Sequence, residues 1–201
     1  MNEPSSRITD PLQMWTIGHS NRTLQQFLSL LKRQNISSVV DVRTVARSKR
    51  SPHFNRMILL DLLRARGIPY LHMPGLGGLR KPIKDSINLG LAEDVRGYAD
   101  YMGTPMFWKN LDVLIEMLRV DRVAVMCAEA DPARCHRRLL SDAAMVLGVE
   151  VFHIVDAGPA TKHVITPSAR VAGKTISYPA RGEEHGEGQP GLPGFGDFGR
   201  S

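Results

Sequence analysis

An α/β fold is what the sequence predicts: a single compact domain built on a mostly parallel sheet of about five strands, flanked by helices. Three observations carry this expectation. Short apolar, β-branched runs recur along the chain, and segments of helical periodicity separate them. One run, Arg122–Met126, is continuously apolar after its first residue, as expected of a strand covered on both faces. The alternation proceeds without an internal repeat or a second composition break, which indicates one sheet wrapped by helices.

The elements follow in order. Met14–Ile17 reads as a first strand, ending at Gly18-His19-Ser20. Thr23 can cap a helix to about Gln34, with Leu24, Phe27, Leu28 and Leu31 on one face. Ser38–Val42 is a β-branched strand that runs into Asp41-Val42-Arg43. After a basic loop, a helix from about Asn55 to Arg66 stops at Gly67. Tyr70–Met73 is the third strand, followed by the turn Pro74-Gly75-Leu76-Gly77-Gly78 and a loop over 79–90. Helical periodicity returns over Leu91–Met102 and Phe107–Arg119. Arg122–Met126 is the fourth strand. Pro132 is expected to open a helix to about Leu147, because proline is tolerated in a first turn. Val149–Val155 is the fifth strand, and residues 163–179 look extended.

Composition limits the possibilities. The 201 residues suit one domain, read here as 13–179, with a loose N-terminal arm over 1–12. The segment 180–201 is rich in Gly, Pro and Glu and is expected to be disordered. Net charge is +6. Arg181 and Arg200 against Glu183, Glu184, Glu187 and Asp197 give the tail −2, so the body holds +8. A basic body favours anionic partners: a small molecule, a nucleotide or nucleic acid. No apolar run approaches the roughly 20 residues that span a bilayer, and the first residues lack the apolar centre of a signal peptide. The expectation is a cytoplasmic protein without a membrane partner. Cys127 and Cys135 are the two cysteines, which in a reducing compartment are expected to be free thiols.

In an open parallel sheet, ligands gather beyond the carboxyl ends of the strands. The predicted strand ends carry His19 and Ser20, Asp41 and Arg43, His72, Cys127 and Glu129, and His153 and Asp156. The sharpest motif runs from Cys127-Ala128-Glu129 to Cys135-His136-Arg137, from a buried strand into a helix start. A helix N-terminus attracts anions, and Arg137 adds a planar fork suited to phosphate or carboxylate. Cys135 in that setting would be a favoured thiolate, hence a nucleophile or redox thiol, unless it is simply a packed residue. Cys127 reads first as a small buried residue. Arg43 is expected to reach the same rim, with Asp41 placed to orient it or a histidine, while Lys49 and Arg50 read as solvated basic residues and Arg47 beside them is left open.

Other chemistries find less support. The glycine turn at 75–78 is not followed by the Lys-Ser/Thr of a P-loop. No Gly-x-Ser-x-Gly elbow occurs. The spacing of Cys127 and Arg134 is too long for a Cys-x5-Arg phosphatase loop. Cys127, Glu129, Cys135 and His136 match no zinc ribbon or finger, so no metal is assigned, and the sequence names no cofactor.

A series of short motifs stands in order: Thr16-Ile-Gly-His-Ser20, Asp41-Val-Arg43, Leu76-Gly-Gly78, Cys127-Ala-Glu129 through Cys135-His-Arg137, Val151-Phe-His153-Ile154, His163-Val-Ile-Thr-Pro167 and Tyr178-Pro179. Across about residues 14–179 this series resembles the family of domain of unknown function 488. The resemblance implies a compact α/β domain of a bacterial or archaeal type and no established activity. By position, His19, Asp41, Arg43, Cys127, Glu129, Cys135, His136 and Arg137 fall on its signature. Ala46 departs from the pattern, where a proline is expected.

The leading expectation is an enzyme acting on a phosphorylated or otherwise anionic substrate. In it, Arg43, His136 and Arg137 bind the anion, and His19, Glu129 and Cys135 supply acid, base or nucleophile. Ser20, Asp41 and Cys127 support them. Two other classes remain open: a nucleic-acid-binding module using the tract from Arg47 to Arg50, and a thiol redox or metal-sensing protein using both cysteines. The oligomeric state is not legible in the sequence.

Overall fold

The computed structural model describes residues 11–180. The expected N-terminal arm and C-terminal tail lie outside the described residues, apart from residues 11, 12 and 180. The chain forms β1 (Gln13–Gly18), α1 (Leu24–Arg33), β2 (Ser38–Asp41), α2 (Arg56–Arg64), β3 (Tyr70–His72), α3 (Glu93–Met102) and α4 (Pro105–Leu118). It continues with β4 (Val123–Cys127), α5 (Arg137–Val146), β5 (Glu150–Ile154), β6 (Thr161–Lys162), β7 (Arg170–Ala172) and β8 (Thr175–Ser177). Local signals explain most boundaries. Thr23 caps α1 with a capping box, its hydroxyl accepting from the Gln26 N–H while Gln26 Oε1 accepts from the Thr23 N–H. Gly67, at φ +70, turns the chain after α2 where a side chain would be strained.

The sheet runs β3-β2-β4-β1-β5-β6, parallel throughout except for β6. The five expected strands are therefore present, and a short antiparallel edge strand makes six. β7 and β8 form a separate hairpin that seats Ile176 and Tyr178 in the core.

Successive side chains of a strand point to opposite faces, so each apolar strand feeds two cores. Trp15, Ile17, Val39, Ala124 and Met126 pack with α1 and α2. Met14, Val40, Val123, Val125 and Val151 pack with α3, α4 and α5. The chain leaving β1 goes to the first face and the chain leaving β4 goes to the second. β1 and β4 are neighbours, so the two exits diverge and open a crevice at the strand ends.

One boundary departs from expectation. Pro132 opens only a single 3-10 turn, Pro132–Arg134, capped by the Asp131 carboxylate on the Ala133 N–H at 2.8 Å. Cys135 is extended, and α5 begins at Arg137. Cys135 and Arg137 are both buried and their side chains meet. Residues two apart do not face each other on a helix, so an extended residue before α5 is what brings them together.

Among the described residues, no helix is long and apolar enough to cross a membrane.

Candidate functional site

Beyond the ends of β2, β3 and β4 lies a cavity of about 310 Å³. Its wall includes Arg43 and Arg47 from the loop after β2, Gly78 and Leu79 from the loop after β3, and Asp94 and Val95 from α3. The segment after β4 supplies Cys127, Glu129, Arg134, Cys135 and His136. The size suits a small ligand. A second, more open cavity of about 600 Å³ lies beyond β1 and β5, lined by Ser20, Arg22 and Asp156 among others, and holds no thiol.

Two cysteines of the first cavity's lining bring their sulfurs together. Cys127 Sγ and Cys135 Sγ lie 2.8 Å apart, and both residues are unbridged cysteines. Cys127 Sγ accepts the Glu129 N–H at 3.4 Å. Cys135 Sγ accepts from Arg137 Nε at 3.4 Å and has His136 Nδ1 at 3.6 Å. The Cys127 thiol hydrogen-bonds the Cys135 sulfur, and with His136 and Arg137 this outweighs burial, holding the Cys135 thiol well below the usual range. Cys127 is pushed the other way, first by that shared hydrogen bond and then by burial. The two shifts run in opposite directions, Cys135 toward the thiolate and Cys127 toward the thiol.

Arg137 is 1% exposed, and its fork is committed to protein groups. Nε serves Cys135, Nη1 donates to Thr16 Oγ1 at 3.3 Å, and Nη2 donates to the Glu129 and Ala130 carbonyls. The expected anion clamp therefore sits behind the sulfur, not in the cavity. Gly18 makes this possible: a side-chain carbon there would overlap the Glu129 carbonyl. Beyond Arg137 the hydrogen bonds continue through buried groups. Thr16 Oγ1 meets His153 Nδ1 at 2.7 Å, His153 Nε2 meets His163 Nδ1 at 2.9 Å, and His163 Nε2 meets Asp142 Oδ1 at 2.8 Å. The Tyr178 hydroxyl and the Thr166 N–H also donate to the Asp142 carboxylate. With His153 donating from Nε2 and His163 from Nε2, each group from Arg137 to Asp142 donates to the next. Burial, His163 and Arg137 lower the His153 pKa to about 4, which keeps it neutral in this chain.

On the other face, Arg43 forms a bidentate pair with Asp41, Nε to Oδ1 at 2.9 Å and Nη2 to Oδ2 at 2.6 Å. Nη2 also donates to the Phe54 carbonyl, and Nη1 donates to His19 Nε2 at 3.0 Å. The Tyr70 hydroxyl donates to Asp41 Oδ2 at 2.6 Å. His19 is buried, stacks on Phe54 and donates from Nδ1 to the Ser20 carbonyl. Burial and the adjacent Arg43 lower its pKa to about 4. Both ring nitrogens are thus occupied on a neutral imidazole, which leaves His19 no lone pair or proton to offer a substrate.

Of the nine residues the sequence singled out, Arg43, Cys127, Glu129, Cys135 and His136 line one cavity. His19 and Asp41 stand behind Arg43, Arg137 stands behind Cys135, and Ser20 faces the second cavity. The sequence does not single out Arg134, and it offers Arg47 only within the basic tract of the nucleic-acid alternative. Both exposed guanidiniums line the cavity, and among the described residues neither makes a side-chain hydrogen bond or ion pair. It also missed Thr16 and Asp142. The turn at Gly75–Gly78 serves packing: a side chain on Gly77 would strike Thr44, and one on Gly78 would strike the His136 ring.

Cys127, Cys135 and His136 present ligand atoms within 4.8 Å of one another, a donor set suited to a soft metal. Two thiolates on one tetrahedral zinc would stand about 3.8 Å apart, given bonds of about 2.3 Å. At 2.8 Å the sulfurs are hydrogen-bonded to each other, and they would have to separate to take an ion.

Comparison with known proteins gives one match. The family model described as "Domain of unknown function DUF488" matches residues 23–144, which contain Asp41, Arg43, both cysteines, His136, Arg137 and Asp142. No curated protein and no solved structure matches the chain. The matched segment covers more than half the sequence and carries both the thiol pair and the arginine that orders it, and on this ground the chain belongs to the DUF488 family.

Proposed function

We propose that the protein is a thiol-dependent enzyme in which Cys135 attacks an electrophilic centre of a small anionic substrate. The supporting observation is the placement of Cys135 Sγ. Cys135 lies in the wall of the 310 Å³ cavity, and its Sγ is held by the Cys127 thiol and Arg137 Nε, with His136 alongside. A thiolate is the nucleophilic form of cysteine, and these donors favour it without a separate general base. Arg47 and Arg134 at the wall have uncommitted forks to orient a carboxylate or phosphate. His136 and Glu129, also at the wall, are placed to move the proton of the leaving group. The net charge of the wall is modest because Asp94 and Glu129 share it, so anion binding rests on the two free guanidiniums and not on an overall basic field. Lys49 and Arg50 are exposed and lie outside this wall, so the basic tract divides, with only Arg47 serving the cavity.

Alkylation of the full chain tests the reading. At pH 6, iodoacetamide should modify Cys135 well ahead of Cys127, located by peptide mass. Iodoacetate should gain on iodoacetamide relative to a free thiol, and Arg47→Glu with Arg134→Glu should reverse that preference. If neither thiol reacts at pH 6, or Cys127 reacts first, the nucleophile is wrongly assigned. An unchanged preference between the two reagents removes the anionic substrate.

A further inference from the structure

Cys127 has no part in the reaction as described so far, yet its sulfur lies closer to Cys135 than to any other reactive group. We propose that the two cysteines form a dithiol–disulfide couple, and that the substrate is a small anionic disulfide which this couple reduces. The inference rests on Cys135 being the nucleophile and adds the identity of the bond attacked.

Three observations carry it. The sulfurs at 2.8 Å need to close only to about 2.05 Å for a bond. Cys127 closes β4 and Cys135 lies in the extended residue between a 3-10 turn and α5. That junction lies outside regular secondary structure and can absorb the movement. Cys127 is also held in place, by the Glu129 N–H on its sulfur. Finally, the donors divide the two roles. Arg137 and His136 lie on Cys135, so Cys135 is the attacking sulfur, and Cys127 keeps its proton until a second step.

The step balances. The Cys135 thiolate attacks one sulfur of the substrate disulfide. A Cys135–S bond forms, the substrate S–S bond breaks, and the departing thiolate leaves with the electron pair and takes a proton from His136 or water. Cys127 then gives up its proton and attacks Cys135 Sγ. The intramolecular disulfide forms, and the second half of the substrate leaves as a thiolate, taking up that proton. The substrate disulfide gains two electrons from the cysteine pair and leaves as two thiols, one proton coming from His136 or water and the other from Cys127. A small dithiol returns the pair to its reduced form by the reverse exchange.

The cavity fits this substrate class better than a peroxide. At about 310 Å³ it is far larger than a peroxide needs, and its free guanidiniums are set to hold carboxylates.

The test uses the reduced full chain and oxidised glutathione as probe, followed by intact mass and thiol counting. Equimolar probe should remove two hydrogens and two titratable thiols and leave no adduct. Cys127→Ser should stop at a single glutathionyl adduct on Cys135, and Cys135→Ser should give neither adduct nor internal bond. Arg47→Glu with Arg134→Glu should slow oxidation about tenfold or more with oxidised glutathione and not with cationic cystamine. A stable adduct on Cys135 of the wild-type chain would overturn the couple while leaving the nucleophile intact. Failure of iodoacetamide to label Cys135 at pH 6 would overturn the nucleophile itself. Oxidation by hydrogen peroxide with no reaction toward either disulfide would overturn the substrate class.

Discussion

The two sides of the cavity each bury an arginine, and the two arginines are neutralised in different ways. Arg43 is matched by a carboxylate: Asp41, itself fully buried, takes it in a two-point grip, with Tyr70 bracing the carboxylate. Arg137 touches no carboxylate among the described residues. Its fork meets a hydroxyl, two backbone carbonyls and one sulfur. A buried guanidinium needs an anion, and on this side the sulfur is the one group in contact that can become one. Burial opposes the charge on Arg137, and the two cysteines more than offset it. Arg43 therefore builds a rigid wall, whereas Arg137 draws the proton off a reactive group.

The largest expected effect would break the first half of this comparison. Asp41→Asn leaves Arg43 buried without its anion and should cost about 3–5 kcal/mol in urea denaturation. A loss under 1 kcal/mol would mean that Arg43 is solvated and not paired. On the thiol side, Arg137→Lys retains the charge but cannot reach Cys135, Thr16 and the Glu129 carbonyl together. It should lose about 1.5–3 kcal/mol. It should also slow Cys135 alkylation at pH 6, and unchanged alkylation would show that the sulfur is ionised by something else.

The pH dependence of stability sharpens the contrast. His19 and His153 each have a pKa near 4 in the folded chain, below the ordinary value of 6.5, so the unfolded chain binds more protons between those limits. Stability should therefore fall as pH drops from 6.5 toward 4. Cys135 is also depressed, against about 8.5 in an unfolded chain. From pH 6.5 to 8.5 the two histidines are silent and Cys135 alone should keep stability rising, by up to about 1.4 kcal/mol per pH unit. Urea midpoints across this range should show the rise in the wild type and a flat line in Cys135→Ser. A flat wild-type profile would mean that the folded protein holds two ordinary thiols. The smallest effect is expected at Tyr70→Phe. It removes one hydrogen bond to a carboxylate still gripped by Arg43, for a loss of about 1 kcal/mol by thermal or urea unfolding.

The architecture was legible because its signals are local. The apolar run at 122–126 reads as a buried strand, and Thr23 with Gln26 writes its own helix start. The start of α5 was misread because Pro132 opens a 3-10 turn as readily as an α-helix, and only tertiary contact decides between them. The rim residues Arg43, Cys127, Glu129, Cys135 and His136 were found because strand ends can be located from sequence. Their roles were less legible. Arg137 was read as a ligand clamp because arginine usually keeps its head in water, and nothing nearby in the chain announces Thr16, 121 residues away. The line from Thr16 through His153 and His163 to Asp142 joins residues from three strands or loops and a helix, with separations up to 137. No window of sequence contains it.

Gly18 stands where β1 and the segment after β4 press together, with no room for a methyl group against the Glu129 carbonyl. That carbonyl also anchors Arg137, and Arg137 governs Cys135. The least decorated residue of the strand thus holds remote control over an acid–base equilibrium it never touches. Gly18→Ala would act as an electrostatic lesion delivered by a hydrocarbon. A survey that weighed residues by the chemistry of their side chains would pass over it.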